Sequence, residues 1–285
     1  MFVADGWKDY EVLDAGDGEK LERWGDIILR RPDPQSIWPK QNPGLWKIAD
    51  AVYNRSSGGG GAWDFKRKLP DNWTVDYKKL RFQVHPTGFK HTGLFPEQAA
   101  NWDWMGEKIR NAGRPIKVLN LFGYTGGATM ACAAAGAHVT HVDAAKGMVS
   151  WAGDNRRLSK IDETSVRWIV DDALKFVERE ARRGNHYDGL LMDPPSYGRG
   201  PGGEIWKLED KLWELLQACT KVVSDTPLFF LVNSYTTGLQ STVITNMVSF
   251  SVGSRFGGKV VADELVLPIS SGGVLPCGCT GRWER

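Results

Sequence analysis

Three carboxylates in this 285-residue chain each stand directly after a short apolar run. Asp143 closes "HVTHVD", Asp172 follows "SVRWIVD", and Asp193 closes "YDGLLMD" and leads straight into Pro194 and Pro195. Apolar runs of this length, bounded by turn residues, predict β-strands. Three successive strands thus bring an acid to one sheet edge, where a carboxylate can accept hydrogen bonds from ribose hydroxyls or an adenine amino group. Upstream, "NLFGYTGGATM" places Gly123, Gly126 and Gly127 in a strand-to-helix turn. A glycine-rich turn lets a ligand approach the backbone, and the helix beyond it presents N–H groups. The spacing differs from G-x-G-x-x-G, which favours an adenosine-containing cofactor over a dinucleotide. Each feature also has a plain structural reading. The glycines can be a turn alone, Asp143 and Asp172 can be helix N-caps, and Asp-Pro can be strand-exit punctuation.

The elements that must position these residues follow from periodicity. After residue 100 the chain alternates strand and helix. "NWDWMGEKIRNAG", "ATMACAAAGA", "AKGMVSWAGDNRRLSK", "DALKFVEREARRG" and "KLEDKLWELLQACTKVVS" read as helices; "IKVLNLF", "HVTHVD", "SVRWIV", "YDGLLMD" and "PLFFLVNS" read as strands. That alternation predicts βαβ crossovers and a parallel sheet covered on both faces. "KVVADELVLPIS" and "GGVLPCGCTGRW" read as a terminal antiparallel hairpin. Before residue 90, "YEVLDAG", "DIILRRPDP", "LWKIAD" and "WTVDYKKLRFQVHP" read as short strands among tight turns, with "SSGGGGAWDF" a flexible loop. The four glycines at 58–61 lack the Gly-Lys-Ser/Thr of a phosphate loop and read as a turn. The expected organisation is a small β-rich subdomain at 1–90 and an α/β domain at 91–285.

Taken together, "VLNLFGYTGGATMACAAAGAHVTHVDAAKGMVSWAGDN", "DDALKF" and "DPPSYG" resemble the class I S-adenosylmethionine-dependent methyltransferases. More narrowly, the chain is similar to the group containing the bacterial large-subunit ribosomal RNA methyltransferases, whose first-strand motif reads L-N-x-F-x-Y-T-G. "HTGLFPEQ" at 91–98 resembles that group's T-G-x-F-x-D-Q segment, with Glu97 at the usual Asp position. The resemblance implies a Rossmann-like sheet of about seven strands and S-adenosylmethionine as cofactor. It also implies residue roles. Asn120, Phe122, Gly123, Tyr124, Thr125 and Gly126 would wrap the methionine part, and Asp143 would hold the ribose hydroxyls. Asp172 and Ala173 would flank the adenine, and Phe95 and Gln98 would close the pocket. Asp193, Pro194 and Pro195 would border the methyl group, with Ser196 and Tyr197 facing substrate. Ser196 separates the prolines from Tyr197, unlike the adenine-N6 enzymes, which put an aromatic directly after the prolines. The loop "GRGPGGE" would fold over substrate as a lid.

Cytosine-C5 transfer requires a covalent cysteine nucleophile. The segment after the fifth strand, "LFFLVNSYTTG", has none, and Cys219, Cys277 and Cys279 read as structural. A ring or exocyclic nitrogen is therefore the expected acceptor. Lys66, Arg67 and Lys68, with Lys78, Lys79 and Arg81, interleave with Trp63, Trp73, Tyr77 and Phe82. That pattern suits RNA phosphates and unpaired bases, or equally a small aromatic core with solvated charges. A net charge of +2 makes any polyanion site a local patch. Three readings stay open: an RNA methyltransferase, a small-molecule or protein methyltransferase, and a non-catalytic cofactor-fold protein that binds RNA. The charged start, the lack of a long apolar run and the scattered cysteines lead to the expectation of a cytoplasmic protein without membrane segments or metal.

Overall fold

The computed structural model describes residues 1–56, 60–199, 205–236 and 238–285. The chain divides into two compact units. One is Phe2–Ala100 with Leu265–Cys277, and the other is Met1 with Asn101–Glu264 and Gly278–Arg285.

The first unit carries β1 (Phe2–Val3), β2 (Tyr10–Gly16), β3 (Glu19–Trp24), β4 (Ile27–Pro32), β5 (Ala51–Arg55), β6 (Gly61–Phe65), β7 (Trp73–Tyr77) and β8 (Leu80–Val84). Strands β2 to β6 form a five-stranded sheet in chain order, and β7 and β8 pair separately as a hairpin. Asp17 and Gly18 both take positive φ between β2 and β3, matching the twist that a two-residue hairpin turn demands. Trp24, Leu21, Leu29, Tyr77 and Phe82 are buried, so bulky side chains fill a small core. Two expectations are corrected here. "LWKIAD" is not a strand throughout: Leu45–Ile48 is a 3-10 turn, because the Trp46 indole N–H reaches the buried Asp14 carboxylate at 2.7 Å. "GAWDF" is no loop but the edge strand β6, held by Trp63 packing on Tyr53 at 5.4 Å. The glycines at 58 and 59 lie outside the described residues.

The second unit carries α1 (Ala99–Asn111), β9 (Lys117–Leu121), α2 (Gly127–Ala134), β10 (His138–Asp143), α3 (Lys146–Leu158), β11 (Val166–Val170), α4 (Ala173–Arg182) and β12 (Gly189–Met192). There follow β13 (Tyr197–Arg199), β14 (Ile205–Lys207), α5 (Leu208–Thr220), β15 (Phe229–Ser234), α6 (Ser241–Val248), α7 (Ser254–Phe256), and β16 (Lys259–Pro268) and β17 (Val274–Glu284), of which Leu265–Pro268 and Val274–Cys277 belong to the first unit. Eight strands hydrogen-bond in the order β1-β16-β17-β15-β12-β9-β10-β11. Strands β9 to β12 and β15 run parallel, and β17 runs antiparallel to β15. The α/β class and the terminal hairpin are as expected, with two-residue β1 added at the edge.

Helix α6 was not legible. "STVITNMV" is rich in β-branched residues, which weakly disfavour helix. It folds as one because Ile244 and Val248, four apart on one face, are fully buried with Leu215, Leu216 and Phe230. Tertiary burial overrides the local preference.

Candidate active site

The parallel register aligns the strand ends. Leu121 at the end of β9 pairs with Val142 on one side and Met192 on the other, and Asp143 pairs with Val170. Residues 122–126, Asp143, Asp172 and Asp193 therefore leave the sheet at a single edge. Given the usual strand spacing, the exits of β12 and β10 lie about 10 Å apart. The chain runs from β9 outward to β10 and β11, then returns to β12 on the other side of β9. That reversal is a topological switch point, where open α/β sheets hold ligands beyond the carboxyl ends of the strands.

The loop after β9 is strained. Phe122, Tyr124 and Gly126 have φ of 56°, 51° and 87°, alternating with residues of ordinary φ. Two aromatic residues in the left-handed region cost about 1–2 kcal/mol each. Such strain persists where surroundings overdetermine it, and it clusters at functional loops. Alternating hand also turns successive N–H groups toward one side, a concavity suited to negative groups. Asp143 occupies part of it: Oδ2 accepts the Tyr124 N–H at 2.9 Å and Oδ1 the Ala145 N–H at 2.8 Å. Burial pushes the Asp143 carboxyl above the usual range in spite of those bonds.

The underside of the loop explains its glycines. A Cβ on Gly123 would meet His141 Cε1 at 2.4 Å, and one on Gly127 would meet the Trp102 ring at 2.6 Å. His141 belongs to a buried polar chain in which Asn120 Nδ2 donates to Thr129 Oγ1 at 2.8 Å, and that hydroxyl lies 2.8 Å from His141 Nδ1. Burial lowers the His141 pKa to about 3, so its imidazole is neutral. From α3, Asn155 Nδ2 donates to the Thr125 carbonyl at 2.8 Å. These glycines therefore answer to internal packing, a role that the motif alone does not reveal.

On the next strand, Asp172 caps α4 by accepting the Lys175 N–H at 2.9 Å, and Ala173 is buried behind it. Asp171 N–H donates to the Asp143 carbonyl at 3.1 Å, tying the two strand exits together.

The corner after β12 is built from both sides. Asp193 N–H donates to the Leu121 carbonyl at 3.4 Å. Pro194 is buried and Pro195 exposed. Ser196 Oγ accepts from Thr236 Oγ1 at 2.8 Å, and Trp206 Nε1 donates to the Pro195 carbonyl at 2.6 Å. The Trp206 ring also lies 5.3 Å from that of Phe122, so one side chain touches both loops. Tyr197 and Ile205, each 57% exposed, stand on an antiparallel hairpin of β13 and β14. The pairing of its arms was not anticipated; residues 200–204 of the expected lid lie outside the described residues. Trp206, Thr236, Thr129 and His141 are contributors that sequence reading missed. The Trp eleven residues beyond the paired prolines was the one visible signal.

The remaining expected residues lie in the other unit. Gln98 is buried and Phe95 half-buried at the 3-10 turn Pro96–Gln98, with the Phe95 ring 5.5 Å from His91. Lys66, Arg67 and Lys68 are exposed; Lys66 pairs with Asp64, and Arg67 with Asp50. Burial pushes the cysteine thiols up, Cys132 to about 12, Cys279 to about 11, and Cys219 and Cys277 well above their usual value. None is poised to be a thiolate near neutral pH. A cavity of about 270 Å³, lined by Lys117, His138, Arg167 and Tyr187 among others, sits at the opposite, amino edge of the sheet. Among the described residues no group of three or more His, Cys, Asp and Glu side chains could hold a metal, and no helix is long and apolar enough to cross a membrane.

A parallel sheet with a glycine-containing loop and an acidic second-strand exit at its switch point defines a nucleotide-type ligand fold. A family model described as S-adenosylmethionine-dependent methyltransferase matches residues 56–224, and the chain belongs to that family. Over 99% of its length it superposes on a SAM-dependent methyltransferase from Agrobacterium tumefaciens, with 38% identity, a TM-score of 0.94 and 92% of that chain covered. It is similar to the ribosomal RNA large subunit methyltransferase K/L of Shewanella frigidimarina, 26% identical over 204 residues, 71% of this chain and 27% of the relative. The protein of that name from Shewanella sp. strain ANA-3 is 33% identical over 177 residues, 61% of this chain and 23% of the relative. The chain thus spans about a quarter of the length of these curated relatives. S-adenosylmethionine is accordingly the cofactor.

Proposed function

We propose that the chain methylates a base of RNA, ribosomal RNA in the first instance, without a cysteine nucleophile. The observation that carries the site is the meeting of a strained loop, Asp143 and the Asp193-Pro-Pro corner at the switch point. The RNA target is supported by the activity that the Shewanella relatives' name states.

In this reading Asn120, Phe122, Gly123, Tyr124, Thr125 and Gly126 hold the methionine part of the cofactor, Asp143 the ribose, and Asp172 with Ala173 the adenine. The fit rests on the loop concavity, whose N–H groups suit a carboxylate, and on the strand exits, which span a nucleoside-sized distance. S-adenosylmethionine supplies a sulfonium methyl group for in-line displacement by a nitrogen lone pair. The protein's task is then mainly positioning. Asp193 and the Pro194 carbonyl accept N–H hydrogens of the target amino group or ring edge, fixing the direction of its lone pair. Trp206 holds the Pro195 carbonyl, which stiffens the corner. Tyr197, exposed beside it, offers a ring face to the base, and Ser196 is fixed by Thr236.

The test is transfer of tritium from labelled S-adenosylmethionine to RNA, protein and small-molecule fractions of a strain lacking the gene. Label in RNA, weakened by rising salt, is the expected outcome. Label confined to protein or small molecules would overturn the RNA assignment and leave methyl transfer standing.

A further inference from the structure

The first unit carries an exposed aromatic surface that its own core does not use. On edge strand β6, Trp63 and Phe65 alternate onto one face, with ring centroids 6.3 Å apart and planes inclined by only 26°. Tyr53 backs Trp63 from the neighbouring strand. The Trp63 indole N–H donates to the carbonyls of Thr87 and Phe89, at 2.9 and 3.1 Å, which fixes the 87–89 turn against it. Phe65 is 51% exposed and Phe89 67% exposed. By contrast Tyr77 and Phe82, equally plausible from the sequence, are core. Exposed aromatics on an edge strand invite aggregation, so their retention calls for a use.

We propose that Trp63, Phe65 and Phe89 form a stacking platform for an unpaired RNA base, with Arg55, Lys68 and Lys90 taking the flanking phosphates. The inference rests on the RNA reading above and deepens it by naming a recognition surface within the first unit. Charge favours RNA over an apolar protein partner. Arg55 and Lys68 are exposed and have no carboxylate partner among the described residues. Lys90 directly follows Phe89 and is half-buried; burial, then the Lys20 and Arg31 cations, lower its pKa, with Asp33 opposing them and Arg55 adding to them. Aromatic faces accept any base, while cations track the backbone, so the platform should favour single strands over duplexes and discriminate little among sequences.

The experiment is fluorescence anisotropy of a short labelled single-stranded RNA with the full chain. Phe65→Ala, Phe65→Leu, Phe65→Trp and Phe89→Ala are compared, each checked for an unchanged thermal midpoint. Phe65→Ala and Phe65→Leu should weaken binding roughly 5- to 150-fold, the range that follows from one stacked base, while Phe65→Trp retains it. Duplex RNA should compete poorly. Wild-type affinity in Phe65→Ala and Phe89→Ala overturns the platform, and the tritium assay then decides the RNA reading separately. Retention in Phe65→Leu also overturns it, since stacking needs a ring. So does loss of self-association or of a protein partner in Phe65→Ala with RNA affinity unchanged.

Discussion

Substituting Gly123 by Ala adds one methyl group at the base of the proposed cofactor loop. Its Cβ would lie 2.4 Å from His141 Cε1 and 2.5 Å from Nδ1, against an optimal carbon contact of about 3.5–4.0 Å. The ring must retreat by about 1 Å, yet it is fully buried, bonded to Thr129 and packed 5.0 Å from Trp168. Overpacking of this kind costs about 1–3 kcal/mol. Loss of the Thr129 contact adds about 0.5–1.5 kcal/mol, for a total of about 1.5–4.5 kcal/mol. Displacing the loop should also weaken S-adenosylmethionine binding at least tenfold, equivalent to about 1.4 kcal/mol. Denaturant unfolding and calorimetry read the two effects. His141→Ala opens the space beneath residue 123, so the double variant should be no less stable than His141→Ala alone, a coupling equal to the full cost of Gly123→Ala, about 1.5–4.5 kcal/mol. Additive destabilisation, or a Gly123→Ala protein with wild-type stability and affinity, would refute the packing account.

Other consequences follow from the same contacts. Trp206→Phe keeps the ring beside Phe122 but removes the donor to the Pro195 carbonyl. About 1 kcal/mol of positioning should be lost, a several-fold fall in transfer rate with cofactor affinity unchanged; an unchanged rate argues against the corner's role. Burial, then the Arg31, Lys90 and Lys20 cations, hold His91 at about 4, and burial holds His141 at about 3. Both values lie below that of an unfolded histidine, so unfolding takes up protons and stability should fall as pH drops from about 6.5 toward 4. Replacing His91 by Gln should flatten that slope by up to about 1.4 kcal/mol per pH unit, measured by urea unfolding; a wild-type slope speaks against a buried neutral imidazole. Cys277→Ser with Cys279→Ser should retain methyl transfer, since burial keeps both thiols protonated; loss of transfer with cofactor binding intact would revive a cysteine mechanism.

Much of the second unit was legible because its strands are short apolar runs between turn residues, and most of its helices carry one apolar face. Asp172 illustrates the gain: an acid before "ALKF" reads as an N-cap, and it is one. What was hidden depended on distant partners. Leu45–Ile48 turned helical because of Asp14, thirty-two residues before Trp46. Helix α6 formed against its β-branched composition because Ile244 and Val248 found a core. Nothing local in Leu265–Cys277 announces that it packs with the first unit. At the site, the motif marked which residues matter but not why. That Gly123 yields to His141, or that Trp206 reaches Pro195, requires knowing which side chains lie below and beside the loop.

The central claim is that the cofactor lies at the carboxyl edge, over loop 122–126 and beside Asp143. A crystal structure with S-adenosylhomocysteine tests it most directly. The expected result is ligand density along the exits of β12, β9, β10 and β11, with the ribose hydroxyls on Asp143. Density in the cavity lined by Lys117, His138 and Arg167 at the amino edge, with the carboxyl edge holding only solvent, would contradict the account.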